Sequence, residues 1–216
     1  MYQYALHCFR FKHKPISLNE AKRFFKKASD KGHVEAMFKY ALSLLESDVK
    51  SERKKGVKFM KYAAISGNVN AMFNYGFNLL KGIDVPIDEE EGMFFVKEAA
   101  DKGNTFAMSI YAISLKNLNN KNTENKDEVK KYLKMAADKG DPNGLELYGK
   151  FLLNNNYDKD PSINLEAVDC IKKASFAGNI DAISTYSNIL LNGIGVPPDK
   201  SRAILFYNLG INKGST

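Results

Sequence analysis

Residues 71–103 read AMFNYGFNLLKGIDVPIDEEEGMFFVKEAADKG, and this stretch decides the fold. In its first part, Ala71, Tyr75 and Leu79 recur at helical spacing, which predicts an amphipathic helix. A turn rich in Gly, Pro and Asp follows. The last part predicts a second helix that ends where Gly103 adopts the left-handed conformation. The stretch therefore predicts one helix–turn–helix unit.

The same pattern recurs along the whole chain, with steps of 35 to 38 residues. One set of markers is the glycines that end the second helices: Gly32, Gly67, Gly103, Gly140, Gly178 and Gly214. A second set is the tyrosines of the first helices: Tyr4, Tyr40, Tyr75, Tyr111, Tyr148 and Tyr186. Because two independent registers keep one period, we predict an all-α fold of about six repeats in a single domain over residues 1–216. The expected units are 1–32, which is incomplete, 33–67, 68–103, 104–140, 141–178 and 179–214.

The turn between the two helices carries a family resemblance. Residues Gly193-Ile-Gly195-Val-Pro-Pro-Asp199 and Gly82-Ile-Asp-Val-Pro-Ile-Asp88, with the small residues before each terminal glycine, resemble the Sel-one-like repeat, a relative of the tetratricopeptide repeat. The resemblance implies a right-handed superhelical α/α solenoid that binds partner proteins or peptides on a concave face. Units four and five depart from it, since polar stretches at 117–126 and 154–161 replace the glycine turn.

In tetratricopeptide-like solenoids the first helix of each unit lines the concave face, and this geometry selects candidate binding residues here. The partner-binding candidates are Glu35, Phe38, Leu42, Asn70, Phe73, Phe77, Lys81, Phe106, Ser109, Ile113, Asn143, Glu146, Lys150, Asp181, Ser184 and Asn188, with Lys116 beside them. The phenylalanines either form an exposed binding platform or pack between neighbouring repeats, and the sequence leaves both interpretations open. The structural anchors are the tyrosines from Tyr40 onwards and the glycines from Gly32 to Gly178.

The overall charge allows two classes of partner. Lysine and arginine total 32 against 25 acidic residues, a net charge of +7, which is compatible with nucleic acid. The charges on the predicted face are mixed, however, whereas RNA-reading repeats need a positive track. We therefore expect a non-catalytic adaptor or scaffold for proteins, either by itself or as the regulatory portion of a larger signalling protein. The alternative is a nucleic-acid-binding helical repeat.

The sequence offers no site for catalysis, a metal or a cofactor. It lacks a Gly-rich phosphate loop, an H-E-x-x-H motif and a plausible catalytic triad, and His7, His13 and His33 have no ligands at suitable spacing. The expectation is that the chain is not an enzyme and takes neither a cofactor nor a small-molecule substrate. Cys8 and Cys170 match no paired motif, and no signal peptide or transmembrane segment is seen. A cytoplasmic location without membrane insertion is expected.

Overall fold

The computed structural model describes residues 2–3, 15–118, 125–156 and 160–214, with the backbone alone at 15–18 and 118. The elements of the longer ranges are helices, and these ranges contain no strand. In chain order they are α1 (Pro15–Ser29), α2 (Val34–Leu45), α3 (Lys50–Ile65), α4 (Val69–Lys81), α5 (Glu89–Asp101), α6 (Thr105–Leu118), α7 (Lys126–Asp138), α8 (Pro142–Asn155), α9 (Pro161–Phe176), α10 (Ile180–Asn192) and α11 (Lys200–Gly214). The all-α prediction is confirmed. Tyr4, His7, Cys8 and His13 lie outside the described residues.

The chain divides into two compact units, Met1–Asn104 with α1 to α5 and Thr105–Thr216 with α6 to α11. Within each unit, helices that follow one another along the chain pack together, and α6 also contacts α8. The helices alternate as the repeat predicts. The first helices of the repeats are α2, α4, α6, α8 and α10, and the second helices are α1, α3, α5, α7, α9 and α11.

Most second helices end on a left-handed glycine. The predicted glycines have φ angles of 81° (Gly32), 94° (Gly67), 95° (Gly103), 73° (Gly140) and 89° (Gly178). At Gly67, the amide of the next residue, Asn68, donates back to the Ala63 carbonyl at 3.0 Å, which satisfies an otherwise free helix-end carbonyl. The sixth marker, Gly214, is instead the last residue of α11.

The residue after the glycine starts the next helix. The Asn68 and Asn179 side chains each accept a hydrogen bond at 2.8 Å from the amide three residues on. Asp141 accepts one from the Gly144 amide at 2.7 Å. Each oxygen satisfies one of the free amides of a helix N-terminus. The glycine therefore ends the second helix of one repeat, and the capping residue after it starts the first helix of the next repeat within a few residues.

The tyrosine anchors are buried, and most of their rings meet an aromatic ring on the second helix of the same repeat. Ring centroids lie 4.9 Å apart for Tyr40–Phe59, 5.1 Å for Tyr75–Phe95, 4.7 Å for Tyr111–Tyr132 and 4.9 Å for Tyr186–Phe206. All four pairs are edge-to-face, with interplanar angles of 75° to 89°, the arrangement that the ring quadrupoles favour. In the fifth repeat Cys170 stands at the position of the second ring, and burial raises the pKa of its thiol.

A carboxylate joins the tyrosine hydroxyl to the preceding repeat. The Tyr75 hydroxyl donates to Glu91 at 3.2 Å, and Lys61 of α3 donates to the same carboxylate at 2.7 Å. The hydrogen bond to Glu91 raises the pKa of Lys61. In the other unit, the Tyr148 hydroxyl donates to Glu166 at 3.1 Å, and Lys134 lies 3.7 Å from that carboxylate. Burial, and then the bond to Glu166, raise the pKa of Tyr148.

Candidate functional site

Three of the predicted partner-binding residues are buried, so their side chains do not face solvent; for Phe38 this is one of the two alternatives that the sequence leaves open. Phe38, Ser109 and Glu146 all stand two residues before the anchor tyrosine, and each is 5–6% exposed. Ser184 holds the same position in the sixth repeat and is exposed. Phe73 holds this position in the third repeat and is half-buried, so the exposure of the position varies from repeat to repeat. Glu146 forms an ion pair there with Lys150, one turn later on the same helix.

The other predicted residues are half-buried or exposed. The half-buried candidates are Glu35, Leu42, Phe73, Phe77 and Lys150. The exposed candidates are Asn70, Lys81, Phe106, Ile113, Asn143, Asp181, Ser184 and Asn188, and the neighbouring Lys116 is exposed as well. Phe73 and Phe77 lie on one side of α4 with ring centroids 5.9 Å apart. The two rings pack partly on each other and remain half-buried. They are therefore neither a fully exposed binding platform nor fully buried between neighbouring repeats.

Three predicted residues use their polar groups within the fold. The Asn68 amide group donates to Glu35 at 2.7 Å, the Asn179 amide group to Asn143 at 2.8 Å, and the Asn104 amide group to Asn70 at 3.3 Å. Asn68 and Asn179 therefore cap their own helices with the oxygen and hold the preceding repeat with the nitrogen. These contacts are structural, and sequence reasoning found the caps but not the second bond.

A concave feature lies in the unit Thr105–Thr216, between α6, α7 and α8. It is a cleft of about 530 Å³, within the 300–1,000 Å³ typical of ligand pockets. Three residues of the predicted face, Ile113, Lys116 and Lys150, line it. Its apolar lining is Ala112, Ile113, Leu115, Val129, Leu133, Leu147 and Phe151.

The polar lining of this cleft has one sign of charge. The lysines are Lys116, Lys126 and Lys150, and the asparagines are Asn117, Asn125, Asn154 and Asn155. Among the described residues, those that line the cleft include no carboxylate, although Lys150 is paired with Glu146 behind it. An apolar floor rimmed by ammonium and amide groups suits a ligand with an apolar part and hydrogen-bond acceptors.

Much of this cleft lay beyond the sequence prediction. Lys126, Val129 and Leu133 come from a second helix, whereas the prediction used first helices only. The sequence did contain one indication of the cleft, the missing glycine turn in repeats four and five. The polar stretches at 117–126 and 154–161 that replace the turn contain most of the polar residues that line the cleft.

Two observations on the described residues concern metal ligation and thiol reactivity. The described residues contain no group of three His, Cys, Asp or Glu side chains placed to hold a metal ion. Their free cysteine, Cys170, is buried and its raised pKa keeps it in the unreactive thiol form. Over the same residues, every helix is too short or too polar to cross a bilayer.

The comparisons with known proteins agree with this architecture. The sequence profile of the Sel1 repeat matches residues 1–33, 34–68, 69–104, 130–141 and 183–215. The gaps fall in repeats four to six, and repeats four and five lack the glycine turn. No match is found among curated proteins.

Solved structures share the fold. A Sel1 repeat protein from Oxalobacter formigenes superposes with a TM-score of 0.78 at 24% identity, over 90% of this chain and 79% of that one. The protective antigen c5321 of uropathogenic Escherichia coli, described as having an SLR fold, gives 0.54 at 16% identity, over 90% and 49%. Immunity protein Pa5087 from Pseudomonas aeruginosa gives 0.54 at 16% identity, over 84% and 66%. With repeat matches over more than half of its length, the chain belongs to the Sel1 repeat family.

Proposed function

We propose that this chain is a non-catalytic adaptor, and that the cleft between α6, α7 and α8 binds an acidic, partly apolar peptide segment of a partner protein. Proteins of the Sel1 repeat family are generally scaffolds for protein interactions. The observation that carries the proposal is the combination, in one cleft, of a continuous apolar floor with three lysines and, over the part of the chain that the structure describes, no carboxylate in the lining.

The apolar lining of the cleft would supply affinity for the peptide, and its lysines and asparagines would supply selectivity. Leu115, Val129 and Leu133 are buried beneath the cleft, while the Phe151 ring is half-buried. An apolar side chain that enters would gain about 25 cal/mol for each Å² removed from water. Asparagine side chains both donate and accept, so they match the amide and carbonyl groups of a peptide backbone. Lysines then favour a segment that carries Asp or Glu.

The cleft fits a peptide better than a nucleic acid. Binding to a phosphate backbone needs a track of cations with little apolar surface, and base stacking needs aromatic faces. Here one ring, Phe151, lies among six aliphatic side chains. Nucleic acid is therefore the alternative that the experiment must separate.

The test is binding of two fluorescein-labelled peptide pools to the full chain. One pool alternates Leu or Phe with Asp or Glu, and the other carries Lys or Arg in place of the acids. We expect saturable binding of the acidic pool only, weakened about tenfold in Lys116→Glu, a loss of about 1.4 kcal/mol. Lys131→Glu, a change at an exposed lysine of α7 outside the cleft, should bind as the wild type does.

Two results would overturn the proposal. Equal weakening by Lys116→Glu and Lys131→Glu would mean that only the overall charge matters. Displacement of the acidic pool by a single-stranded oligonucleotide of equal charge, with a higher affinity for the oligonucleotide, would instead identify a nucleic-acid-binding protein.

A further inference from the structure

Three repeats supply a carboxylate to the hydroxyl of their anchor tyrosine. The donor and acceptor pairs are Tyr75 with Glu91 at 3.2 Å, Tyr111 with Glu128 at 3.1 Å and Tyr148 with Glu166 at 3.1 Å. Each glutamate stands four residues before the ring position of its second helix, which Phe95, Tyr132 and Cys170 hold. We call the place of the glutamate the carboxylate position of the repeat.

The sixth repeat carries a cation at the carboxylate position. Arg202 stands there, four residues before Phe206. Tyr186 is 4% exposed, and its hydroxyl makes no hydrogen bond to any residue that the structure describes. A polar group on a buried side chain that has no partner favours any acceptor that can reach it. One hydrogen-bond donor therefore remains unused in this repeat.

The lysine that completes the contact in other repeats is also unused. Lys61 donates to Glu91 at 2.7 Å, and Lys134 lies 3.7 Å from Glu166. Both lysines stand on the preceding second helix, two residues after its ring position, and Lys172 holds the equivalent place on α9. Its ammonium group forms no ion pair or hydrogen bond within the described part of the chain. The sixth repeat thus keeps the lysine and the tyrosine that contact a carboxylate elsewhere, but not the carboxylate.

A cation at the carboxylate position does not by itself leave such a lysine unpaired. In the second repeat Lys55 holds the position, and the Tyr40 hydroxyl likewise makes no hydrogen bond to a described residue. The lysine of the preceding helix, Lys26, is paired there with Asp30 one turn later, at 2.7 Å. One turn after Lys172, α9 carries a phenylalanine instead. The unpaired lysine therefore distinguishes the sixth repeat from the second.

The two unused donors lie in one groove with apolar walls. Tyr186, Lys172 and Arg202 line a groove of about 390 Å³ between α9, α10 and the turn before α11. The apolar lining is Leu165, Val168, Leu190, Val196, Pro197 and Pro198. An anion that reached the donors would therefore have apolar surface beside it.

The same place is open to solvent in repeats that other repeats follow along the chain. The side chains of Lys61 and Glu91 are 40% and 31% exposed, and those of Lys134 and Glu166 are 49% and 46% exposed. Access to the carboxylate position is therefore a property of the repeat itself.

The charges of the groove favour a ligand with a single negative charge. Asp169 and Asp199 also line it, and each is already paired, Asp169 with Lys173 at 2.6 Å and Asp199 with Arg202 at 2.6 Å. Arg202 is thus held by Asp199 and contributes less to an added anion than Lys172 does. Two cations and two carboxylates in the lining suit one carboxylate better than the double charge of a phosphate.

We propose that the sixth repeat binds a glutamate side chain of a partner protein, in the place that a glutamate of the chain itself fills in repeats three to five. The Tyr186 hydroxyl and the Lys172 ammonium group donate to its carboxylate, and an apolar neighbour of the glutamate packs on Leu165 and the two prolines of the turn. A glutamate is the occupant because the equivalent contacts of this fold are made by that side chain. The groove is separate from the cleft between α6, α7 and α8, so either can fail without the other.

The test reads the Tyr186 ring directly. The full chain is labelled with ¹³C at the tyrosine ring carbons beside the hydroxyl, and the NMR signals of Tyr186 and Tyr40 are assigned from Tyr186→Phe and Tyr40→Phe. The probe is the capped peptide Ala-Leu-Glu-Leu-Ala, and its matched neutral ligand has glutamine in place of glutamate. Tyr40 is the internal control, because it is 4% exposed like Tyr186 and its repeat lacks the unpaired lysine.

We expect the glutamate peptide to shift the Tyr186 signal saturably, with the Tyr40 signal unchanged. Affinity should fall at least about tenfold for the glutamine peptide, and equally for the glutamate peptide with Lys172→Gln, because a charge-assisted hydrogen bond is lost in both cases. Lys139→Gln, at an exposed lysine outside the groove, should bind as the wild type does. Lys116→Glu should also leave the Tyr186 response unchanged, which separates this site from the cleft.

Arg202→Glu restores the missing carboxylate within the chain, in the arrangement that Asp88 and Glu91 have in the third repeat. Without any peptide, this variant should shift the Tyr186 signal in the direction that the glutamate peptide shifts it, and it should no longer respond to the peptide.

Three results would overturn the proposal. Equal affinity of the glutamate and glutamine peptides would mean that the groove binds apolar groups alone. Equal shifts of the Tyr186 and Tyr40 signals would mean that the effect is not local. Tighter binding of 4-phenylbutyrate or phenyl phosphate than of the glutamate peptide would identify a site for a small acid or a phosphate instead.

Discussion

The turn of the third repeat and the turn of the sixth repeat follow one backbone path but meet the preceding repeat in different ways. In the third, the Ile83 amide donates to the Asn78 carbonyl at 3.0 Å, and in the sixth, the Ile194 amide donates to the Ile189 carbonyl at 3.2 Å. The φ angles also match, at 69° for both opening glycines, Gly82 and Gly193.

The difference lies two residues later. The third repeat has Asp84 with φ 57°, and the sixth has Gly195 with φ 69°. The Asp84 carboxylate accepts from the Arg53 guanidinium at 3.0 and 3.1 Å. Gly195 leaves no such room, since a Cβ there would lie 3.0 Å from the Asn164 Cβ and 3.2 Å from its carbonyl oxygen.

Arg53 and Asn164 are both the fourth residue of their helix, so the two contacts are equivalent in position. A left-handed turn residue can therefore be supported by direct backbone contact or by an ion pair across a wider gap. The turn fixes the backbone, and the fourth residue of the preceding second helix decides which side chain the turn tolerates.

The largest expected effect comes from giving the sixth turn the aspartate that the third turn carries at the equivalent position. Gly195→Asp places a Cβ against Asn164 and should lower the free energy of unfolding by about 2–3 kcal/mol, through overpacking and left-handed strain. Urea unfolding measures the loss. Gly32→Asp is the matched control, because Gly32 has φ 81° and no neighbour within 4 Å of an added Cβ; equal losses at the two sites would refute the role of the contact.

Removing Arg53, the cation of α3 that contacts the third turn, should lower the free energy of unfolding by a smaller amount. Arg53→Ala leaves the Asp84 carboxylate, whose side chain is 12% exposed, without its partner, a loss of about 1–2 kcal/mol. It also removes the hydrogen bonds from Arg53 to the Ser47 and Asp48 carbonyls. Lys54→Ala, one residue along at an exposed site, should stay within about 0.5 kcal/mol of the wild type in the same denaturation. Similar losses in both variants would mean that the ion pair contributes nothing.

A smaller difference separates two substitutions of Asp84. Both Asp84→Ala and Asp84→Gly remove the carboxylate, but only glycine relieves the positive φ. Asp84→Ala should therefore be less stable than Asp84→Gly by about 1 kcal/mol, read from paired chemical denaturation curves. A more stable alanine variant would show that the left-handed conformation is not retained.

The smallest effect concerns Asp199, which ends the sixth turn and caps α11. The Arg202 amide, first, and its guanidinium hold the pKa of Asp199 below its usual range. A lowered pKa stabilises the fold above the unfolded-state value of about 4 and loses that contribution as pH falls through the folded value. The stability difference between the wild type and Asp199→Asn should thus shrink as the pH of thermal unfolding is lowered from about 5 to about 2. A difference that is constant over this range would contradict the pKa assignment.

The repeat pattern was predictable from the sequence because it depends on local chemistry. Glycines that need a positive φ, and capping residues such as Asn68 and Asp141, determine helix ends within a few residues. The Asp84–Arg53 pair was not predictable, since its partners are 31 residues apart in sequence and no local rule links them.

The exposure of the predicted face residues was harder to predict, for a related reason. A fixed helical projection treats a charged residue as exposed, but Glu146 is buried and forms an ion pair with Lys150 of the same helix. The projection also omitted second helices, so it missed Lys126 and Val129 in the cleft. Burial and concavity depend on how neighbouring repeats stack, which a single repeat does not encode.

The cap contacts have a consequence for how such a chain can change in length. Asn68 holds Glu35, and Asn179 holds Asn143, through the same side-chain nitrogen. After deletion or duplication of a whole repeat in the gene, such an asparagine would still meet an acceptor wherever the preceding repeat carries Glu or Asn at that position, but not after the fourth repeat, which carries Phe106 there. Arg53 and Asp84 differ from these contacts, because the loss of either of their repeats would leave the other side chain without its oppositely charged partner. Evolutionary gain or loss of repeats should therefore be tolerated more readily elsewhere than between the second and third.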